Sequence, residues 1–218
     1  MKAVILASGR GSRMMPLTEE TPKPLLKYQN KTLIQWKLDS LPEEIKEIII
    51  VIGYLGEKIK KYFSESWKGK KITYIEQTDL NGTAGALKLC ENLLDNKTLV
   101  LNGDDIYQKE DLEKLCLEEN AILVSDMGTD GFKKIGQIIK KPDDTFHKIN
   151  MIKGNNVSSL INTGAYVLSK DYFKFKPEKV TEKEYGIPQT LIKVSEQLPV
   201  KIILANEWKQ ITVPEDLD

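Results

Sequence analysis

The sequence predicts a doubly wound α/β domain with a mainly parallel, mixed sheet and a β-rich insertion in its C-terminal half. Three observations predict it. Up to residue 126, short apolar runs alternate with stretches of helical periodicity, as βαβ crossovers require. Between 135 and 168, three strand-like runs follow one another with no long helix between them. At 218 residues, 40% hydrophobic and 29% charged, the chain has the size and composition of one globular domain.

Residues 2–7 are short, apolar and closed by a Gly-rich turn, so they read as a buried strand. Residues 32–41 place Leu33, Ile34, Trp36, Leu38 and Leu41 at helical spacing. A second buried strand spans 47–52 and ends at Gly53. A helix is expected at 55–63 and a third strand at 71–75. Residues 83–94 read as a helix with Ala84, Ala86, Leu87, Cys90 and Leu94 near one face. A fourth strand at 98–101 runs into Asn102-Gly103-Asp104-Asp105, followed by a helix at 111–119 and a strand at 121–125. Strands are then expected at 135–140, 145–152 and 160–168, a helix at 185–197 and a last strand at 200–205.

Lys plus Arg and Asp plus Glu each number 32, so the formal net charge is zero. Proteins that live on phosphate backbones usually carry a basic excess, which argues against nucleic acid as a partner. No apolar run approaches the roughly 20 residues needed to cross a bilayer, which argues against a membrane. The apolar start is too short for a signal peptide. Cys90 and Cys116 fall among leucines as buried thiols, and His147 in a polar stretch reads as a surface residue. No Cys/His spacing suggests zinc. Together these features predict a soluble, cytoplasmic protein, and they leave open whether it forms a homo-oligomer.

The first strand runs into Leu6-Ala7-Ser8-Gly9-Arg10-Gly11-Ser12-Arg13. Glycines there let backbone amides approach phosphates, and Arg13 adds a charged fork that suits phosphate oxygens. The Walker A pattern is absent, and a Rossmann fingerprint would need a third glycine where Met14 stands. Downstream, Pro22 and Pro24 stiffen the backbone around Lys23, expected to be an exposed clamp for a phosphoryl group. Asp104 and Asp105 end an apolar strand, a suitable place for carboxylates that hold Mg²⁺.

Taken together, these segments resemble the sugar-phosphate nucleotidyltransferases (nucleotide-sugar pyrophosphorylases) in their short, single-domain form. The signature is a Gly-rich loop with Arg, then Pro-Leu-Thr, then Pro-Lys-Pro, and it runs from Leu6 to Leu26. The resemblance implies a Rossmann-like nucleotidyltransferase fold over 1–218, with a nucleotide-binding half at 1–126 and an acceptor-binding half at 127–218. It implies nucleotide contacts from Leu6, Ala7, Ser8, Gly9, Gly11, Ser12, Arg13, Lys23, Gln77, Gly82, Thr83 and Asp104. Arg13, Lys23 and Asp104 are the implied catalytic residues. Gly103, Lys153, Asn162, Gly164 and Glu184 are the implied acceptor contacts. Mg²⁺ is the implied cofactor, held by Asp104 and by the residue at Gln210, where the family usually has Asp. The left-handed β-helix of the longer, bifunctional relatives has no counterpart in these residues, so acetyl transfer is not expected.

The implied reaction moves a nucleoside monophosphate from an NTP to a sugar 1-phosphate, with release of pyrophosphate. UTP or dTTP is the favoured nucleotide. Two other readings stand beside it. A phosphocholine cytidylyltransferase-like enzyme shares the N-terminal signature but needs a pocket for a quaternary ammonium, whereas Asn162-Thr163-Gly164 favours a sugar. A non-catalytic nucleotide-binding regulator finds support in Gln210 and in the degraded motif around Lys153.

Overall fold

The computed structural model describes residues 1–126, 135–152 and 160–218. Among them the main sheet has ten strands. These are β1 Lys2–Ala7, β2 Glu47–Ile52, β3 Ser66–Trp67, β4 Lys70–Glu76 and β5 Lys97–Asn102. They continue with β6 Ala121–Asp126, β7 Ile135–Lys140, β8 Phe146–Ile152, β9 Leu160–Ser169 and β10 Lys201–Leu204. The order is β8-β7-β9-β5-β1-β2-β4-β3, with β6 beside both β9 and β10. The helices are α1 Leu33–Ser40, α2 Gly56–Phe63, α3 Thr83–Lys88, α4 Lys109–Cys116 and α5 Ile187–Ser195.

β1, β2, β4 and β5 are mutually parallel, with Ile5 opposite Ile50 on one side and Leu101 on the other. Parallel pairing puts all four carboxyl ends on one edge, where ligands bind in open α/β sheets. β9 enters antiparallel between β5 and β6, and the antiparallel β7–β8 pair continues the sheet beyond it. These three strands form the β-rich insertion that the run from 135 to 168 predicts.

Both faces of β1, β2 and β5 are buried, which is why these strands read as continuous apolar runs. Ile5, Ile50 and Leu101 face α1, α2 and α4 through Ile34, Leu38, Ile59, Leu112 and Leu115. Val4, Val51 and Val100 face α3 and α5 through Ala84, Leu87, Leu191 and Val194. α1 begins with a capping box: the Gln35 amide donates to Thr32 Oγ1 at 3.2 Å, and the Thr32 amide donates to Gln35 Oε1 at 2.8 Å.

α1 and α2 fall within one residue of expectation at each end, and α4 starts and ends earlier than the expected 111–119, whereas two helices are much shorter than the periodicity predicts. α3 stops at Lys88, and a 3₁₀ turn at Glu91–Leu93 carries the rest. The expected face is buried, Ala84 through Leu94, but bonds from Cys90 and Leu93 to the third residue before each tighten the chain so that it can enter β5. The second helix starts at Ile187, because Tyr185–Gly186 pairs antiparallel with Glu178–Lys179. Pro188, in the first turn of α5, removes only an amide that would lack a helical partner anyway. Cys90 and Cys116 are buried, and His147 is exposed. No helix among the described residues is long and apolar enough to cross a membrane.

Candidate active site

The loop after β1 is closed by two bonds to the Gly11 carbonyl, from the Met14 amide at 2.8 Å and the Thr18 hydroxyl at 3.0 Å. Gly11 has φ +66°, and a Cβ there would stand 3.0 Å from Lys23 Cβ. Glycine is therefore needed twice, for the left-handed backbone and for the passage of the Lys23 stem. Arg13, in the 3₁₀ turn Ser12–Met14, is exposed.

Lys23 departs from expectation. It is buried at 7% exposure. Its ammonium donates to Asp104 Oδ2 at 2.7 Å and to the Ile211 carbonyl at 2.5 Å. The flanking prolines hold a 3₁₀ turn, Lys23–Leu25, that turns the side chain inward against the end of β5. The Lys23–Asp104 pair thus joins the N-terminal signature to the Asn102-Gly103-Asp104 segment. Gly103 lets the turn after β5 pass close to the end of β1, since a Cβ there would lie 2.5 Å from the Leu6 carbonyl oxygen.

Burial by itself raises the Asp104 carboxyl, but the charge and hydrogen bond of Lys23, with help from Lys37 and Arg13, hold it below the usual carboxylate range. Asp105 is the opposite case. Its burial and the neighbouring Asp104 charge push its carboxyl well above that range, although it accepts a bond from the Ile211 amide. Two adjacent carboxyls are thereby separated, one kept ionised and facing the cavity, the other turned into the protein.

A cavity of about 590 Å³ opens over these strand ends. Of the residues singled out from sequence, Leu6, Ala7, Ser8, Gly9, Gly11, Ser12 and Arg13 line it. So do Lys23, Gln77, Gly82, Thr83, Gly103, Asp104 and Glu184. The Ser8 hydroxyl donates to Gln77 Oε1, and Gln77 Nε2 donates to Asn81 Oδ1 at 3.0 Å and the Gly82 carbonyl at 3.3 Å. Gly82 has φ +92°, and a Cβ there would lie 2.4 Å from the Tyr185 carbonyl oxygen. Thr83 accepts a bond from the Ile187 amide at 3.1 Å, tying α3 to α5.

Asn162 and Gly164 are not among the residues that line the cavity. Asn162 donates to the Tyr166 hydroxyl at 2.8 Å and accepts from the Gly164 amide at 3.0 Å. Gly164, at φ +78°, leaves room for the Asn102 side chain, which does line the cavity. Gln210 is exposed and is not among the lining residues, whereas its neighbour Thr212 is. The chain end touches the site through the Ile211 backbone rather than through the Gln210 side chain. Lys153 lies outside the described residues.

Lys37 is the residue that motif reading misses. It is fully buried on α1, and its ammonium donates to the Asp105 carbonyl and, at 3.4 Å, to the Leu33 carbonyl. Burial lowers its pKa from 10.5 to about 8 against the pull of Asp104 and Asp105. The signal was present: Lys37 follows the buried Leu33 and Ile34 by four and three residues, on the apolar face of α1.

Among the described residues, no group of three or more His, Cys, Asp or Glu could hold a metal ion. Asp104, with 35% of its side chain exposed in the cavity, offers one hard oxygen donor group. That suits a Mg²⁺ ion that keeps several waters and binds through one carboxylate plus substrate phosphates.

A family model described as nucleotidyl transferase matches residues 2–122. The chain is 29% identical over 218 residues to D-glycero-alpha-D-manno-heptose 1-phosphate guanylyltransferase of Campylobacter jejuni, covering 99% of this chain and 96% of that one. It is 28% identical over 220 residues to the bifunctional protein GlmU of Methanocaldococcus jannaschii, covering 100% of this chain and 52% of the relative, about half its length. The fold matches the inositol-1-phosphate CTP transferase from T. maritima with a TM-score of 0.81 and 24% identity, covering 100% of this chain and 91% of that one.

Proposed function

The chain belongs to the nucleotidyl transferase family, and from that premise we propose that it transfers a nucleoside monophosphate from an NTP to a sugar 1-phosphate, releasing pyrophosphate. The observation that carries the proposal is the Lys23–Asp104 pair in the wall of the cavity, between the glycine loop and the end of β5. The guanylyltransferase of Campylobacter jejuni, matched over nearly its whole length, supports a sugar 1-phosphate acceptor.

In this reading an acceptor phosphate oxygen forms a bond to the α-phosphorus of the NTP while the bond to the bridging oxygen of pyrophosphate breaks. Both reactants are anions, so the site's tasks are to align them and to offset charge on the transferring group. The amides of the loop at 8–12 receive phosphate oxygens, and the exposed Arg13 holds the departing phosphates. Lys23 exchanges its contact with Asp104 for the α-phosphate. Gln77, Ser8 and Gly82 form the wall for the base, and Glu184 contributes to the acceptor side, together with Lys153. Asp104 is the proposed holder of Mg²⁺, which when bound supplies positive charge to the phosphates. No side chain acts as a covalent nucleophile.

The test is pyrophosphate release from each NTP against a panel of sugar 1-phosphates, with phosphocholine included. Release with at least one sugar 1-phosphate is the expected result. Release with phosphocholine alone would replace the acceptor, and nucleotide binding with no release from any pair would refute the transferase reading.

A further inference from the structure

The turn at 103–105 is held at three points. The Asp104 carboxylate is paired with Lys23, the Asp105 carboxyl accepts from the Ile211 amide, and the Asp105 carbonyl accepts from Lys37. Lys23 and Asp104 both line the cavity and, in the proposed reaction, both are drawn to the nucleotide. Lys37 does not line the cavity and is wholly buried, so nothing bound there competes for it.

An ammonium buried against two carbonyls is a costly choice for that position. Taking a charge out of water costs several kcal/mol, and an apolar side chain of similar volume is often neutral or better for stability. Leu33, Ile34 and Leu38 fill the same helix face with no such cost. A purely structural account of α1 therefore gives no reason for a lysine. The contact with Asp105 does, because it sits one residue from the carboxylate that must keep its place.

We propose that Lys37 is a positioning residue for Asp104: its buried ammonium, held on the Asp105 carbonyl, keeps the 103–105 turn in place when the nucleotide takes Lys23 away. The proposal rests on reading the cavity as a nucleotidyl-transfer site. Lys23 is the contact that changes during turnover and Lys37 the one that does not. Part of the turn's order is thereby supplied from beneath the sheet edge, before any ligand arrives.

The test compares the intact protein with its Lys37→Met and Lys37→Gln variants by three readouts. Thermal midpoint reports the fold, amide hydrogen exchange over 103–106 without ligand reports the turn, and kcat with KM reports the reaction. Lys37→Met should keep or raise the midpoint, while exchange over 103–106 accelerates and kcat falls about 10- to 100-fold with KM for the NTP little changed. Lys37→Gln keeps an N–H donor without the charge, and should fall between the two. Native exchange and native kcat in Lys37→Met would overturn the proposal. If Lys37→Met does not fold, Lys37→Gln decides: slower turnover and faster exchange at a native midpoint support it, and native values of both overturn it. The exchange readout needs no substrate. If no pair of substrates turns over, the transferase reading falls while the exchange comparison still tests the turn. If turnover is found and Lys37 proves indifferent, only the positioning role falls.

Discussion

At the scale of single residues, the site depends on charges whose surroundings matter more than their identity. Lys23→Ala removes the charge proposed to meet the α-phosphate, and loss of one such contact typically costs about 10²–10³ in rate. Because Lys23 is buried and paired, rather than exposed as the motif suggests, the same change also leaves Asp104 without its partner. Urea unfolding should therefore show a loss of about 1–3 kcal/mol, and unchanged stability would mean that the pair is not made in solution. Lys37 gives a pH signature. Its folded pKa of about 8 lies below its ordinary 10.5, with Lys23, Asp104 and Asp105 as the charges around it. Between those values the unfolded chain binds more protons, so this group makes stability rise as pH climbs. The unfolding midpoint of the native chain should gain on that of Lys37→Met between pH 8 and pH 10. A constant gap would show that Lys37 titrates as an ordinary lysine. Gln210 is exposed and away from the lining, so Gln210→Asp should leave calorimetric Mg²⁺ affinity unchanged in the nucleotide-free protein. A tighter Asp variant would place this side chain at the metal.

At the scale of elements, the site is assembled from ends rather than from whole helices or strands. β1 supplies the glycine loop, β5 the Asp104 turn, β4 leads into Gln77, and Gly82 caps the start of α3. The junction at Gly82 is the least tolerant of these. Its φ of +92° and the nearby Tyr185 carbonyl oxygen leave no room for a Cβ. Gly82→Ala should separate α3 from the 178–186 ladder, lowering the thermal midpoint and weakening NTP binding together. Native nucleotide affinity in that variant, measured by calorimetry, would show that this junction does not shape the nucleotide site. The element boundaries were legible wherever apolar period and flanking Gly or Pro agreed, as at 2–7 and 47–52 and, to within one residue, at 55–63. They were not legible where two-residue ladders such as Tyr185–Gly186 with Glu178–Lys179 interrupt a helical pattern, because such pairs have no period of their own.

At the scale of the whole molecule, one sheet carries cores on both faces, so neither face can be lost alone. Leu38→Ala on one face and Leu191→Ala on the other should each cost about 2–5 kcal/mol and shift a single unfolding transition. Separate transitions by far-UV dichroism and tryptophan fluorescence would mean that the halves unfold independently. The sequence by itself determined the doubly wound class and the strand ends that carry the site, because buried parallel strands and Gly-rich turns leave local, contiguous patterns, while the family resemblance supplied most of the residues lining the cavity. Tertiary structure alone decided that Lys23 is buried against Asp104 rather than exposed. It also decided that Asp105 turns inward, that Gln210 is exposed and off the cavity lining while the Ile211 backbone makes the contact, and that Lys37 lies beneath the Asp104 turn. Each of these pairs residues far apart in the chain, Lys23 with Ile211 across 188 positions and Lys37 with Asp105 across 68. Charge pairing and desolvation depend on distance in space, and a local pattern carries no record of which distant backbone will close over a given side chain.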